Sequence, residues 1–211
     1  MNASRRFKLL WSALLAVMAT SAVAATGAQA GFFTPAAFPA TIKGTPVGVH
    51  ELITNIGLMT CAPTLHGKVI EVSSEMTIAP AYGTSCTING KEVHVNNNGC
   101  DFRMHAGNTL EADEVAGSMD VVCPAGSAMD FEITTNPVCH LAIPGQAGLG
   151  SLTYTNRTAA KDVDVDFNLG GILYHLGNNC VGSGTYANGI YEGTSTLQAE
   201  VAGMGIQFAV S

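Results

Sequence analysis

The sequence predicts an all-β fold, an antiparallel β-sandwich or flattened barrel stapled by disulfides. Three observations carry that expectation. Apolar residues alternate with others at period two, as in Val93/Val95, Phe102/Met104, Phe131/Ile133, Val163/Val165/Phe167, Ile172/Tyr174 and Ile206/Phe208/Val210. Turn signals recur between these runs at Asn89-Gly90, Asn98-Gly99, Pro144-Gly145 and Asn188-Gly189. Six cysteines, an even number, all lie in the region that carries the alternation. Helical periodicity is confined to two short candidates, one after Thr34-Pro35 and one near Thr109 to Val115. The chain has 211 residues, 47% apolar and 12% charged, which suits one packed domain of ten or more strands.

The first thirty residues read as an export signal rather than as part of that domain. Arg5, Arg6 and Lys8 precede an apolar stretch from Leu9 to Ala19, and a small-residue segment ends Ala28-Gln29-Ala30. A second small-residue motif, Ala22-Val23-Ala24, offers a competing cleavage point. The apolar stretch is shorter than the ~20 residues of a membrane span, and no second span follows. The expected organisation is therefore a signal peptide over 1–30 and a single secreted β-domain over 31–211. That domain keeps six cations against all sixteen carboxylates, a balance of −10, which disfavours nucleic acid and anionic surfaces as partners.

In an oxidising compartment, Cys61, Cys86, Cys100, Cys123, Cys139 and Cys180 read as three disulfides. No C-x2-C or paired Cys/His spacing suggests zinc. Asn89-Gly90 and the stretch Asn96 to Gly99 both read as chain reversals, so that Cys86 and Cys100 flank a middle strand, too far apart to bond. From Cys100 one strand runs out and another returns to Cys123, which suits a bridge at the open end of a hairpin. Extending this reading gives 61–86, 100–123 and 139–180. The Cys86–Cys100 and Cys123–Cys139 segments also echo one another faintly, a likeness that ordinary hairpin sequences produce as well.

The strings CPAG (Cys123 to Gly126), IPGQ (Ile143 to Gln146), YTN (Tyr154 to Asn156), GILYHLG (Gly171 to Gly177) and NGIYEG (Asn188 to Gly193), with Ala81-Tyr82 to Cys86 and Asn98-Gly99-Cys100, resemble an uncharacterised family of secreted, cysteine-containing, β-rich proteins of soil actinobacteria. The resemblance implies export and a shared β-fold. It brings no activity and no catalytic residues.

Sites of chemistry are sparse. There is no G-x-S-x-G elbow for a serine nucleophile, and Ser127 and Ser151 sit in turn-like contexts. With all cysteines assigned to bridges, a thiol nucleophile is disfavoured. The six histidines (50, 66, 94, 105, 140, 175) lack H-E-x-x-H spacing and read as scattered surface groups, although His94 and His105 lie near Glu92 and Asp101. Asp162, Asp164 and Asp166 alternate along one strand face, about 6.5–7 Å apart, and are weak Ca2+ candidates, with a solvated strand face as the plainer reading. Glu111, Asp113 and Glu114 form a second acidic cluster. Tyr186 and Tyr191 bracket Asn188-Gly189 as a possible exposed edge for a glycan, and Asn156-Arg157-Thr158 matches a glycosylation sequon. The apolar segments Gly31 to Phe38 and Gly205 to Ser211 are candidate edges for self-assembly. No cofactor is implied. The sequence favours a secreted non-enzymatic protein that binds or assembles at a cell surface, over a secreted hydrolase with an unrecognised site or a Ca2+-dependent glycan binder.

Overall fold

The computed structural model describes residues 31–211, so the expected signal peptide lies outside the described residues. The described residues contain strands and no helix. Both helical candidates are overturned: the segment after Pro35 is a bend that leads into a strand, and Thr109 to Val115 is the tip of a hairpin. In the first, Pro39 interrupts any helical ladder; in the second, cross-strand pairing takes the backbone groups.

A short β1 (Phe33–Pro35) precedes eight long staves, most of them broken at mid-height. The first is β2 (Ala40–Pro46) with β3 (His50–Thr54), the second β4 (Gly57–Cys61) with β5 (Thr64–Val69), and the third β6 (Glu75–Ala81) with β7 (Cys86–Ile88). The fourth is β8 (Lys91–Asn96) with β9 (Asp101–Glu111), and the fifth β10 (Glu114–Val122) with β11 (Ala128–Ile133). The sixth is β12 (Cys139–Pro144) with β13 (Gln146–Arg157); β14 (Asp162–Leu176) and β15 (Gly184–Val201) complete the set, followed by β16 (Met204–Ile206) and β17 (Phe208–Val210). Each stave pairs antiparallel with the next, and β15 returns to pair with both β2 and β3. The ladder thus closes on itself as an up-and-down barrel of eight staves, interrupted rather than regular. Closure removes the exposed edges that a sandwich would leave.

The interruptions form a waist, and several seams are bridged there by something other than the backbone ladder. Cys61–Cys86 spans the gap between the β5–β6 and β4–β7 pairings, with Cα atoms 4.2 Å apart. Cys100–Cys123 spans the gap between the β9–β10 and β8–β11 pairings, at the open end of the β9–β10 hairpin. Between the sixth stave and β14, the Gln146 side chain stands in for a strand: its amide donates to the Leu173 carbonyl (3.0 Å) and accepts from the Leu173 N–H (2.8 Å). Between β15 and the first stave, the Val47 N–H donates to the Thr194 carbonyl.

The third bridge, Cys139–Cys180, ties β12 to the β14–β15 loop, so all three pairings match the expectation. One expected reversal is absent. Asn96 to Gly99 does not reverse the chain, because β8 and β9 are the two halves of one stave. Of the four turn signals only Asn89-Gly90 is a hairpin turn, with positive φ at both residues, as a two-residue type I′ connection requires. Pro144-Gly145 marks the waist of the sixth stave. Asn188-Gly189 lies inside β15 at an irregularity, where pairing shifts from Ile172↔Gly189 to Tyr174↔Tyr186. The echo between the two cysteine segments is not spatial either: Gly90 tips a hairpin, whereas Gly126 sits at the waist.

Alternation delivers the core. On β14, Val163, Val165, Phe167 and Leu169 point inward; one extra residue at Gly170-Gly171 resets the phase, and Ile172, Tyr174 and Leu176 continue it. The base of the barrel is stoppered by β1 and β17, which pair with each other and bury Phe33, Phe208 and Val210 beneath Tyr154. The two segments read as edges for self-assembly are therefore each other's partners. Asn156, read as a sequon, fastens this stopper: its amide donates to the Val210 carbonyl (2.7 Å) and accepts from the Val210 N–H (2.8 Å).

Candidate functional site

The end opposite the stopper is open. All four hairpin connections β3–β4, β7–β8, β11–β12 and β14–β15 gather there, and between them lies a cavity of about 570 Å³. That volume is within the ~300–1,000 Å³ typical of small-molecule sites. The walls carry the amides Asn55, Asn89, Asn136 and Asn179. Ile56, Ile88, Ile133 and Val181 supply aliphatic surface, with the Cys139–Cys180 bridge between them. Lys91 is the one charged residue in the lining, and no carboxylate is present.

Several of these groups are held before any ligand arrives. The Tyr174 hydroxyl accepts from the Asn55 N–H (2.9 Å) and donates to the Asn188 Oδ1 (3.1 Å); the Asn188 amide donates to the Asn55 Oδ1 (2.9 Å). This closed triangle locks the β3–β4 turn to β14 and β15. Asn89 donates to the Ile56 carbonyl and Asn179 to the Val138 carbonyl, so both side chains are oriented by neighbouring turns. A rim of fixed amides over an aliphatic lining can hold a neutral molecule by hydrogen bonds at its edge and by its apolar face. No family model, curated protein or solved structure matches this chain.

The second polar assembly is buried at the waist. His50 is 1% exposed and Ser195 0%. The imidazole Nε2 lies 3.1 Å from the Thr194 carbonyl and 3.0 Å from the Ser195 Oγ, and Nδ1 lies 2.7 Å from the Tyr191 hydroxyl. A carbonyl only accepts, so Nε2 carries the proton and donates, while Nδ1 accepts from Tyr191. The ring fits because Gly193 faces it: a Cβ there would sit 2.5 Å from the imidazole. Burial lowers the His50 pKa, opposed by the Thr194 carbonyl. Burial likewise raises the hydroxyl pKa of Tyr191 and of its neighbour Tyr82. With Nε2 protonated, His50 cannot take a proton from Ser195, and the serine has no exposed surface for a substrate. The Ser–His pair is architecture. Beside it a cavity of about 30 Å³ is lined by apolar groups such as Leu52, Phe102, Met119 and Phe131, and offers a water few partners.

The remaining sequence candidates are dispersed. Asp162 and Asp164 both face the Arg157 guanidinium, at 2.7 and 3.3 Å. Thr196 donates to Asp164 and Thr194 to Asp166. The cation beside Asp162 and Asp164 is thus Arg157, and among the described residues no group of three or more His, Cys, Asp or Glu side chains is placed to hold a metal ion. His94 lies near Glu92, whereas His105 lies 3.0 Å from Asp120 on the other half of the stave, so the two histidines do not converge. Asp120 is held below the usual carboxylate range despite partial burial, because the Gly148 N–H and His105 both favour its charged form. Among the six histidines His50 corrects the surface expectation. Tyr191, read as an exposed edge, is buried in the core.

What sequence reading missed is the mouth itself. Its asparagines come from four turns far apart in the chain, and the only signal was their enrichment in turns, which has a local conformational cause of its own.

Proposed function

We propose that this protein is an exported, non-catalytic binding barrel that takes a small neutral ligand in its open mouth. The single observation that carries the reading is the 570 Å³ cavity with its amide rim, aliphatic lining and absence of carboxylates. The ligand class that suits it is a glycan unit, whose hydroxyl and acylamino groups meet the asparagine amides while its C–H face meets Ile88, Ile133 and Val181. The reading needs no metal. Export is supported by the leader-like residues 1–30, by three disulfides, and by the resemblance to secreted actinobacterial proteins. Among the described residues no helix is long and apolar enough to cross a membrane.

The test is side-chain amide NMR on residues 31–211 titrated with N,N′-diacetylchitobiose and, separately, with a methyl fucoside. Saturable shifts of the Asn55, Asn89, Asn136 and Asn179 amide resonances, lost in Asn136→Asp/Ile133→Asp, are expected. Unmoved mouth resonances up to tens of millimolar of both sugars overturn the glycan assignment.

A further inference from the structure

The mouth has a floor and an unbroken wall. Ile88 and Ile133, 4% and 3% exposed, lie at the bottom, whereas Val181 stands 89% exposed at the rim. All four hairpin connections contribute to the wall, and each of the four seams between them is fastened. The Asn89 side chain donates to the Ile56 carbonyl, which joins β7–β8 to β3–β4. The Thr134 N–H donates to the Glu92 carbonyl (3.0 Å), which joins β11–β12 to β8. Asn179 donates to the Val138 carbonyl beside the Cys139–Cys180 bridge, so the β14–β15 loop is tied to the β11–β12 turn. The Asn188 amide, donating to the Asn55 Oδ1, closes the ring back to the β3–β4 turn.

A wall fastened all the way round makes a pit rather than a groove, and, given the glycan reading above on which this step rests, that shape selects which part of a glycan enters. A unit inside a linear chain is substituted on two sides, and in an equatorially linked chain its neighbours leave the ring in opposite directions. Such a unit lies only in a trough open at both ends. A terminal unit has a single neighbour, which leaves through the opening by which the unit came in. The cavity of about 570 Å³ has the size of a site for one drug-sized molecule, so one or two sugars fill it and the rest of a longer chain stands outside. Because the seams are already bonded, the wall keeps its shape before a ligand arrives. We infer that the mouth is a receptor for chain ends: it takes the terminal one or two units of a glycan and excludes internal segments.

Residues 31–211 contain every described strand and all three disulfides, and they are the form to test. The probes are N-acetylated chito-oligosaccharides of two, four and six units, followed through the asparagine amide resonances of the mouth. Dissociation constants per chain are expected to agree within twofold across the three lengths. A bulky cap on one end of the hexamer should abolish binding while the same cap on the other end leaves it intact, and that pattern names the end. Affinity that rises tenfold or more from dimer to hexamer overturns the inference and leaves the glycan reading standing. So does a hexamer capped at both ends that still binds. Mouth resonances that stay unmoved with all three oligosaccharides and with the methyl fucoside remove the glycan reading itself, and this inference with it.

Discussion

The buried His50 assembly gives the sharpest quantitative expectation. Replacing His50 by alanine removes a large core side chain, at about 2–5 kcal/mol for such truncations. It also leaves the Ser195 hydroxyl buried without its partner, which adds about 1–3 kcal/mol. The Thr194 carbonyl keeps the Val47 N–H and is not orphaned. Ser195→Ala alone costs only about 1 kcal/mol, because the imidazole still donates to Thr194. In the double variant the orphaned hydroxyl is gone, so the combined loss falls short of the sum by about 1–2 kcal/mol. Urea unfolding of the four proteins at neutral pH measures this cycle. The same ring predicts a pH signature. His50 is held neutral in the fold, so its pKa is lowered relative to the unfolded chain. Protons then bind preferentially to the unfolded state, and this group's contribution is complete above the ordinary histidine value near ~6.5. It declines as pH falls below that, by at most about 1.4 kcal/mol per pH unit. His50→Ala should therefore flatten the stability profile just below that pH relative to wild type. Strict additivity in the cycle, or identical acid limbs for wild type and His50→Ala, would refute the reasoning.

The other expectations concern the fastenings. Gln146→Leu leaves both backbone groups of Leu173 without partners and should cost about 1–3 kcal/mol, read by urea unfolding, with faster amide exchange confined to the neighbouring seam. Asn156→Leu should have a similar cost but raise exchange at Phe208–Val210 instead. Replacing Cys139 and Cys180 together by serine should cost about 2–4 kcal/mol and broaden mouth resonances, because that bridge ties β12 to the β14–β15 loop. Melts that match wild type would remove the bridge from the account of stability.

The alternation in Asp162 to Phe167 and the spacing of the cysteines made the strand content and all three bridges legible. Both are local or nearly local signals. The closure of the ladder was not, since β15 meets β2 across almost the whole chain. Asn188-Gly189 misled because the feature that asks for glycine inside a sheet, an irregular register, has the same signature as a reversal. His50 misled for a different reason: its burial depends on Gly193, Tyr191 and Ser195, more than a hundred residues away, and nothing beside it in sequence announces them. The aspartates were placed correctly on one face, yet Asp162 and Asp164 are paired with Arg157 from across the turn, and Asp166 accepts from Thr194.

Pairing of β1 with β17, and of β2 with β15, has a kinetic corollary. A polypeptide that emerges amino end first presents Phe33 and Ile42 early, while their partners Val210 and Ala199 have yet to follow. The hairpins in between can form as they emerge, but the last seam and its stopper must await the tail. Completion of this fold therefore waits for its last strand.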